Sequence, residues 1–382
     1  LLASVKDDPV LIRAPRYPAP SPGPLPKLKH PIDLIETGTA NDISHSPFKG
    51  YYERPARVAA IARALDDLPI IRHEIQDFGL KPILEIHDKR MVTFLRESQD
   101  KVPPGQIVYP EIFPIRYPDR LPHNWPMRAG YFCIDTSTPI TSNVFAAATR
   151  SANAALTAAK LVGSGKSEMT YVAGRPPGHH AERKVFGGFC YFNNAALAAN
   201  ALSRKGRVAI LDVDHHHGNG TQDIFWPDAS MFYGSTHQMP LYPGTGSVRE
   251  TGAGNIFNAP LRAGDGSAQF REAMGSVILP ALDVFALGRS LYEAWSGLDR
   301  YHFPSLPSGH TRSPDWDRHG WRLNHVLLQA GNPRPSERCP SAGDLRSALE
   351  EASEGRRRIS RRTLLTGIAT AAAGLVGAYI WR

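Results

Sequence analysis

Two short blocks hold most of the reactive side chains of this sequence: Arg175-Pro-Pro-Gly-His-His180 and, roughly thirty residues later, Asp212-Val-Asp-His-His-His-Gly-Asn-Gly-Thr221. Zinc catalysis needs about three protein ligands and an open position, at which the metal lowers the pKa of bound water to near neutrality. If extended backbone continues past Asp212, residues two apart share a side, so Asp212, Asp214 and His216 point together and Asp214 and His216 face one metal. An Asp-rich strand end by itself reads as a helix cap or a solvated turn. Two aspartates and three histidines within six residues, followed by Gly-Asn-Gly, favour the metal. The tandem His179-His180 has a different logic. Pro176-Pro177 restricts the backbone and Gly178 permits close approach, so two imidazoles are presented together at a wall. Imidazoles exchange protons near neutral pH, and a carboxylate or amide behind each ring sets its tautomer. The bland alternative for this pair alone is two surface histidines in a proline turn. Taken together, the blocks point to a hydrolase: a metal-activated water beside its own acid/base pair.

Such residues must be held at the ends of regular elements. Met169 to Ala173 reads as a strand running into the Pro-Pro-Gly-His-His loop, and Val208 to Leu211 as an apolar strand ending at Asp212. Between them Asn193 to Leu202 reads as an alanine-rich helix, and before them Val144 to Val162 as another. Strand, helix, strand with polar residues at strand ends is the pattern of a parallel α/β sheet, whose ligand sites lie beyond the carboxyl ends of its strands. Ser230 to Tyr233 is expected as the next strand, followed by Gly234 to His237, and Arg54 to Leu68 as an amphipathic helix. The proline-rich stretch Val102 to Met127, with Tyr109, Phe113, Tyr117 and Trp125, reads as a long functional wall or lid. After Leu287 the alternation fades, and Arg, His, Trp, Pro and Ser crowd between Arg300 and Pro340. That texture fits either an irregular extension or translation out of frame.

The 382 residues suffice for one large α/β domain or two ordinary ones. Hydrophobic content of 42% and charged content of 21% argue against disorder throughout. Much of the formal charge of +8 sits in Arg356 to Arg358 and Arg361-Arg362, so nucleic acid is not expected as a partner. Three cysteines, Cys133, Cys190 and Cys339, without a CxxC, speak against a disulfide framework or a thiolate zinc site and favour a reducing, cytoplasmic compartment. Residues 1–29 read as a ragged proline-rich segment without the apolar core of a secretory signal, 30–286 as the catalytic domain, 287–355 as an atypical segment and 356–382 as a basic and apolar tail. Within the tail, Leu364 to Trp381 reaches the lower length of a membrane span, and Ser360-Arg-Arg-Thr-Leu-Leu365 resembles a twin-arginine signal. A C-terminal membrane anchor, a packed helix and sequence fused from another frame all fit it.

The two blocks, with Phe186-Gly-Gly-Phe-Cys-Tyr-Phe-Asn-Asn194, Ile210-Leu-Asp212 and Tyr242-Pro-Gly-Thr-Gly246, resemble the zinc-dependent histone deacetylase superfamily over roughly residues 30 to 285. Within it the chain is most similar to bacterial acetylpolyamine amidohydrolases and class II-like deacetylases. The resemblance implies an arginase/deacetylase-type three-layer α/β fold, a central parallel sheet flanked by helices, with loops forming a tunnel to one catalytic Zn2+. It implies His179 and His180 as the proton-transfer pair, with Asp212 and Asn219 behind them, and Asp214 and His216 as zinc ligands. Asp212, Asp214, His216, Ser235 and Thr236 match a site for a monovalent cation such as K+, and Gly188, Phe189 and Tyr242 match the substrate tunnel. The stretch from Tyr109 to Trp125 stands where the family has its substrate-rim loop. The implied substrate is a small-molecule or peptide acetylamide, either an acetylpolyamine or acetyl-lysine, and a homo-oligomer fits equally.

The third zinc ligand of the family lies in a later Gly-hydrophobic-Asp context, for which Asp299 in Ser296-Gly-Leu-Asp-Arg-Tyr-His302 is the candidate. The family's carbonyl-polarising tyrosine stands in a Gly-Gly-Tyr turn, and no Gly-Gly-Tyr follows Phe285. Loss of one such donor costs about a hundred- to a thousandfold in turnover. Feeble activity is therefore expected, and the alternative reading is a non-catalytic deacetylase-like remnant or binding module from a disrupted gene.

Overall fold

Apolar runs of strand length alternate with helices whose buried faces are rich in alanine, and the chain uses them to build parallel sheets. The computed structural model describes residues 31–38, 53, 55–65, 68–296, 323, 325–327, 329–330, 338–339 and 341–353. Its strands are β1 (Ile32–Glu36), β2 (Ile70–His73), β3 (Thr170–Ala173), β4 (Ala209–Asp212), β5 (Phe232–Gln238) and β6 (Ile256–Leu261). They pair in parallel as two three-stranded sheets, β2-β1-β3 and β4-β5-β6, among the described residues. The α/β class and the parallel strands flanked by helices are those expected. In the second sheet Asp212 lies beside Ser235, which brings two candidate site residues together through strand register alone.

The helices around these sheets are α1 (Ala56–Leu65), α2 (Lys81–Ile86), α3 (Lys89–Lys101), α4 (Trp125–Phe132), α5 (Val144–Gly163), α6 (Asn194–Ser203), α7 (Asn219–Phe225), α8 (Ser267–Ala273), α9 (Leu279–Ser296) and α10 (Ala342–Ser353). The small side chains of α5, among them Ala148, Ala152 and Ala155, are buried and let α6 pack closely against it. Asn193 starts α6 by accepting a 3.0 Å hydrogen bond from the Ala196 N–H, and Asp88 starts α3 by accepting one of 2.7 Å from Arg90 N–H. Caps of this kind contribute about 1 kcal/mol. The main core joins Met91, Phe94 and Leu95 of α3 to Trp125, Phe132, Phe186 and Phe192. It lies directly beneath the loops after β3.

The expected helices at 54–68, 144–162 and 193–202 and the strands at 169–173 and 208–211 are present within about three residues at each end. One expectation needs correcting: β5 starts at Phe232 and continues through the Gly234 to His237 stretch read as following it. Pairing with β6 along its full length extends it. Residues 103–124 contain neither helix nor strand, and they expose Ile112, Phe113, Ile115 and Tyr117. The helix α9 runs through the 286/287 boundary, and Val284 on it packs with Val326, Leu345 and Ala352. Asp299 and the 356–382 tail lie outside the described residues. Among the described residues no helix is long and apolar enough to cross a membrane.

Candidate active site

The carboxyl ends of β3 and β4 deliver the two histidine blocks to one place. After β3 the chain turns through Arg175, whose buried guanidinium pairs with buried Glu53, itself paired with Arg57. It then presents His179 and His180 with ring centroids 4.0 Å apart. After β4, Asp212 Oδ2 accepts from His179 Nδ1 at 2.9 Å and from the Tyr233 hydroxyl at 3.2 Å. Asn219, at the start of α7, accepts from His180 Nδ1 through Oδ1 at 2.8 Å. Each ring thus donates at Nδ1, which leaves each Nε2 to exchange a proton.

The two rings are tuned in opposite directions. Burial disfavours charge on His179, but the Asp212 hydrogen bond and charge hold it above the ordinary imidazole range. Burial, reinforced by the neighbouring His179, pushes His180 down to about 3. Asp212 is held below the usual carboxylate range in spite of its own burial, through its contacts with His179, Asp214 N–H and Tyr233. Adjacent groups with pKa values pushed apart are the signature of acid/base work. Gly218 makes the arrangement sterically feasible, since a Cβ there would lie 2.2 Å from Asp212 Oδ2 and 3.1 Å from His179 Nδ1.

Beyond Asp212 the backbone does not stay extended, so the alternation expected for Asp212, Asp214 and His216 does not operate. Asp212 Oδ1 accepts from Asp214 N–H at 3.1 Å, and Asp214 Oδ1 from His216 N–H at 2.8 Å, which bends the chain in two successive turns. The turns nevertheless bring Asp214 Oδ1 to 3.4 Å from His216 Nδ1, with Asp214 53% and His216 40% exposed. Two donors about 2.0–2.1 Å from a tetrahedral ion stand about 3.4 Å apart, so this pair fits zinc. Among the described residues no group of three His, Cys, Asp or Glu side chains is arranged to hold a metal. Ser235 and Thr236 are buried on β5, Ser235 Oγ bonded to His237 Nδ1 at 2.9 Å and Thr236 Oγ1 without a hydrogen-bond partner among the described residues.

Gly188 and Tyr242 lie against the His180 ring. A Cβ on Gly188 (φ 55°) would lie 2.2 Å from His180 Cδ2, so only glycine lets this backbone touch the ring. Phe189 also holds a positive φ of 67°. Tyr242 meets the His180 ring edge-on at 5.1 Å. The sequence reading missed Asp135, which joins these walls: Oδ2 accepts from Gly188 N–H at 2.6 Å, Thr138 Oγ1 at 2.9 Å and Tyr242 OH at 3.3 Å. Its Oδ1 accepts from Ser137 and Thr138 N–H, and these bonds hold the carboxylate below its ordinary range although burial opposes them. Asp-Thr-Ser-Thr is a legible turn signal, but only the fold places it against Tyr242.

Residues 51–295 match the histone deacetylase domain. The chain belongs to the histone deacetylase family. Acetylpolyamine amidohydrolase 2 of Pseudomonas aeruginosa is 38% identical over 270 residues, 66% of this chain and 76% of that protein. Acetylpolyamine amidohydrolase of Mycoplana ramosa is 33% identical, over 71% of this chain and 81% of the relative. The crystal structure of acetylpolyamine aminohydrolase from Burkholderia pseudomallei superposes with a TM-score of 0.60 at 34% identity, covering 66% of this chain and 79% of that one. The clustered His179, His180, Asp212 and Asn219 all lie within the matched residues.

Proposed function

We propose that this chain is a zinc-dependent amidohydrolase that releases acetate from an N-acetylated amine, an acetylpolyamine or acetyl-lysine. The observation that carries this reading is the pair His179–Asp212 and His180–Asn219 set beside Asp214 and His216. Zinc, held by Asp214 and His216 with Asp299 as the expected third ligand, supplies Lewis acidity and a water of near-neutral pKa when bound. The protein's own groups do the rest. With Nδ1 of each ring engaged, a neutral Nε2 accepts the proton of the attacking water and a charged Nε2–H donates to the departing amine nitrogen. Phe189 and Tyr242 grip the aminoalkyl stem, and Gly188 lets that stem pass close to His180. Asp212, Asp214 and His216, with Ser235 and Thr236, hold a monovalent cation such as K+, a reading supported by the buried Thr236 Oγ1, which has no hydrogen-bond partner among the described residues.

The test is acetate release from an N-acetylated diamine and an acetyl-lysine peptide in the presence of zinc. Release that disappears in Asp214→Ala is expected; release unchanged by that substitution refutes the assignment. A second reading, a deacetylase-like remnant that binds ligands without turnover, draws on the pair of donors found among the described residues. Zinc content after dialysis separates the two: about one ion per chain favours the enzyme, and loss of metal favours the remnant.

A further inference from the structure

Asn219 offers an amide to His180, and an amide has two unlike ends. Only its oxygen accepts, and only then is the proton of His180 fixed on Nδ1 with Nε2 left open. What orients the amide is on its far side. Asn219 Nδ2 donates to Glu182 Oε1 at 2.7 Å and approaches the His180 carbonyl oxygen at 3.4 Å. Rotating the amide by half a turn would set its oxygen against these two acceptors and its NH2 against His180, leaving buried polar groups unsatisfied on both sides. Glu182 is itself held in place: its N–H donates to Val185 O at 2.9 Å, and its carbonyl accepts from His87 Nδ1 at 2.9 Å. His87 in turn accepts the Asn193 N–H at 2.9 Å, so the support is tied into the cap of α6.

We propose that Glu182 is a positioning residue for the reaction, fixing the Asn219 amide and through it the Nδ1–H tautomer of His180. The proposal rests on the deacetylase reading for its consequence in turnover, not for the tautomer itself. It also accounts for an amide at 219. A carboxylate there would stand 2.7 Å from that of Glu182, and two carboxylates so close do not both ionise. Burial, with Asp223 nearby, already pushes Glu182 above the usual carboxylate range.

The experiment uses the full chain with 15N-labelled histidine, His180 being assigned by its loss in His180→Gln. Nitrogen shifts should report Nδ1–H in the parent protein. Glu182→Leu should move His180 towards the other tautomer and lower kcat about ten- to a hundredfold, the range for lost partners of functional histidines, with KM within about threefold. Glu182→Gln keeps an oxygen for the Asn219 NH2 and should stay within about threefold of the parent. At about pH 8, Asn219→Asp alone should lose activity, and Asn219→Asp with Glu182→Gln should recover it, because the amide introduced at position 182 then donates to the new carboxylate. An unchanged His180 tautomer in Glu182→Leu overturns the proposal. If that variant does not fold, failure of the near-isosteric double exchange to restore the Nδ1–H tautomer overturns it instead. A parent protein that releases no acetate would count against the deacetylase reading, while the nitrogen shifts would still decide the role of Glu182.

Discussion

At the residue scale, the site works by forcing small distances between groups that would otherwise repel or clash. Gly188 and Gly218 carry no Cβ because the His180 ring and the Asp212 carboxylate occupy that space. Gly188→Ala is expected to displace His180 and lower acetate release at least tenfold, with a further cost of about 1–2 kcal/mol for a side chain at positive φ. Turnover measured beside a thermal melt checks this: activity retained at parental level would show that the ring contact is not needed. The tuning of His179 and His180 in opposite directions has one physical cause. Burial penalises charge on both, and only His179 has a carboxylate at its Nδ1 to offset it.

At the element scale, the loops after β3, β4 and β5 are locked to each other, not merely adjacent. Asp135 is the clearest case, since one carboxylate binds the backbone of Gly188, the hydroxyl of Tyr242 and its own turn. Asp135→Asn weakens charge-assisted bonds worth about 1.5–3 kcal/mol each, so the tunnel walls should loosen while the histidine pair stays in place. KM for the acetylated amine is expected to rise about tenfold with kcat within about threefold; the opposite split would place Asp135 in the chemistry. Beneath the loops, α3 supplies the support. Phe94 stacks on Trp125 at 4.9 Å and on Phe186 at 6.2 Å, and Phe94→Ala should cost about 3–5 kcal/mol in urea denaturation. A loss below about 1 kcal/mol would mean that this core does not carry the loops.

At the scale of the whole molecule, one contribution to acid stability comes from a buried imidazole that links the α6 cap to the loop after β3. Burial pushes His87 from 6.5 down to about 4. The unfolded chain therefore binds more protons than the folded one between these values, and stability rises with pH across that window. The contribution, on the order of 3 kcal/mol, is fully present above about pH 6.5 and is lost as pH falls towards 4. His87→Gln should flatten this slope in urea midpoints taken from about pH 4 to 7, and an unaltered slope would assign the acid sensitivity elsewhere. The family, the parallel α/β class, the strand ends that carry chemistry and the histidine pair were all legible in the residues, because short motifs and local periodicity encode them. The weakly alternating β1, β2 and β6 were not, since their strand character comes from the neighbours they pair with. Nor was the turn at Asp212 to His216, where side-chain oxygens capture backbone N–H groups and override the alternation that an extended chain would impose. The joining of Asp135 to Tyr242 across 107 positions and of Glu182 to Asn219 across 37 is decided only by tertiary structure. The sequence determines which groups are available for proton transfer and metal binding, whereas the orientation of an amide or the sharing of a carboxylate depends on partners that are distant in the chain and brought within hydrogen-bond reach by packing.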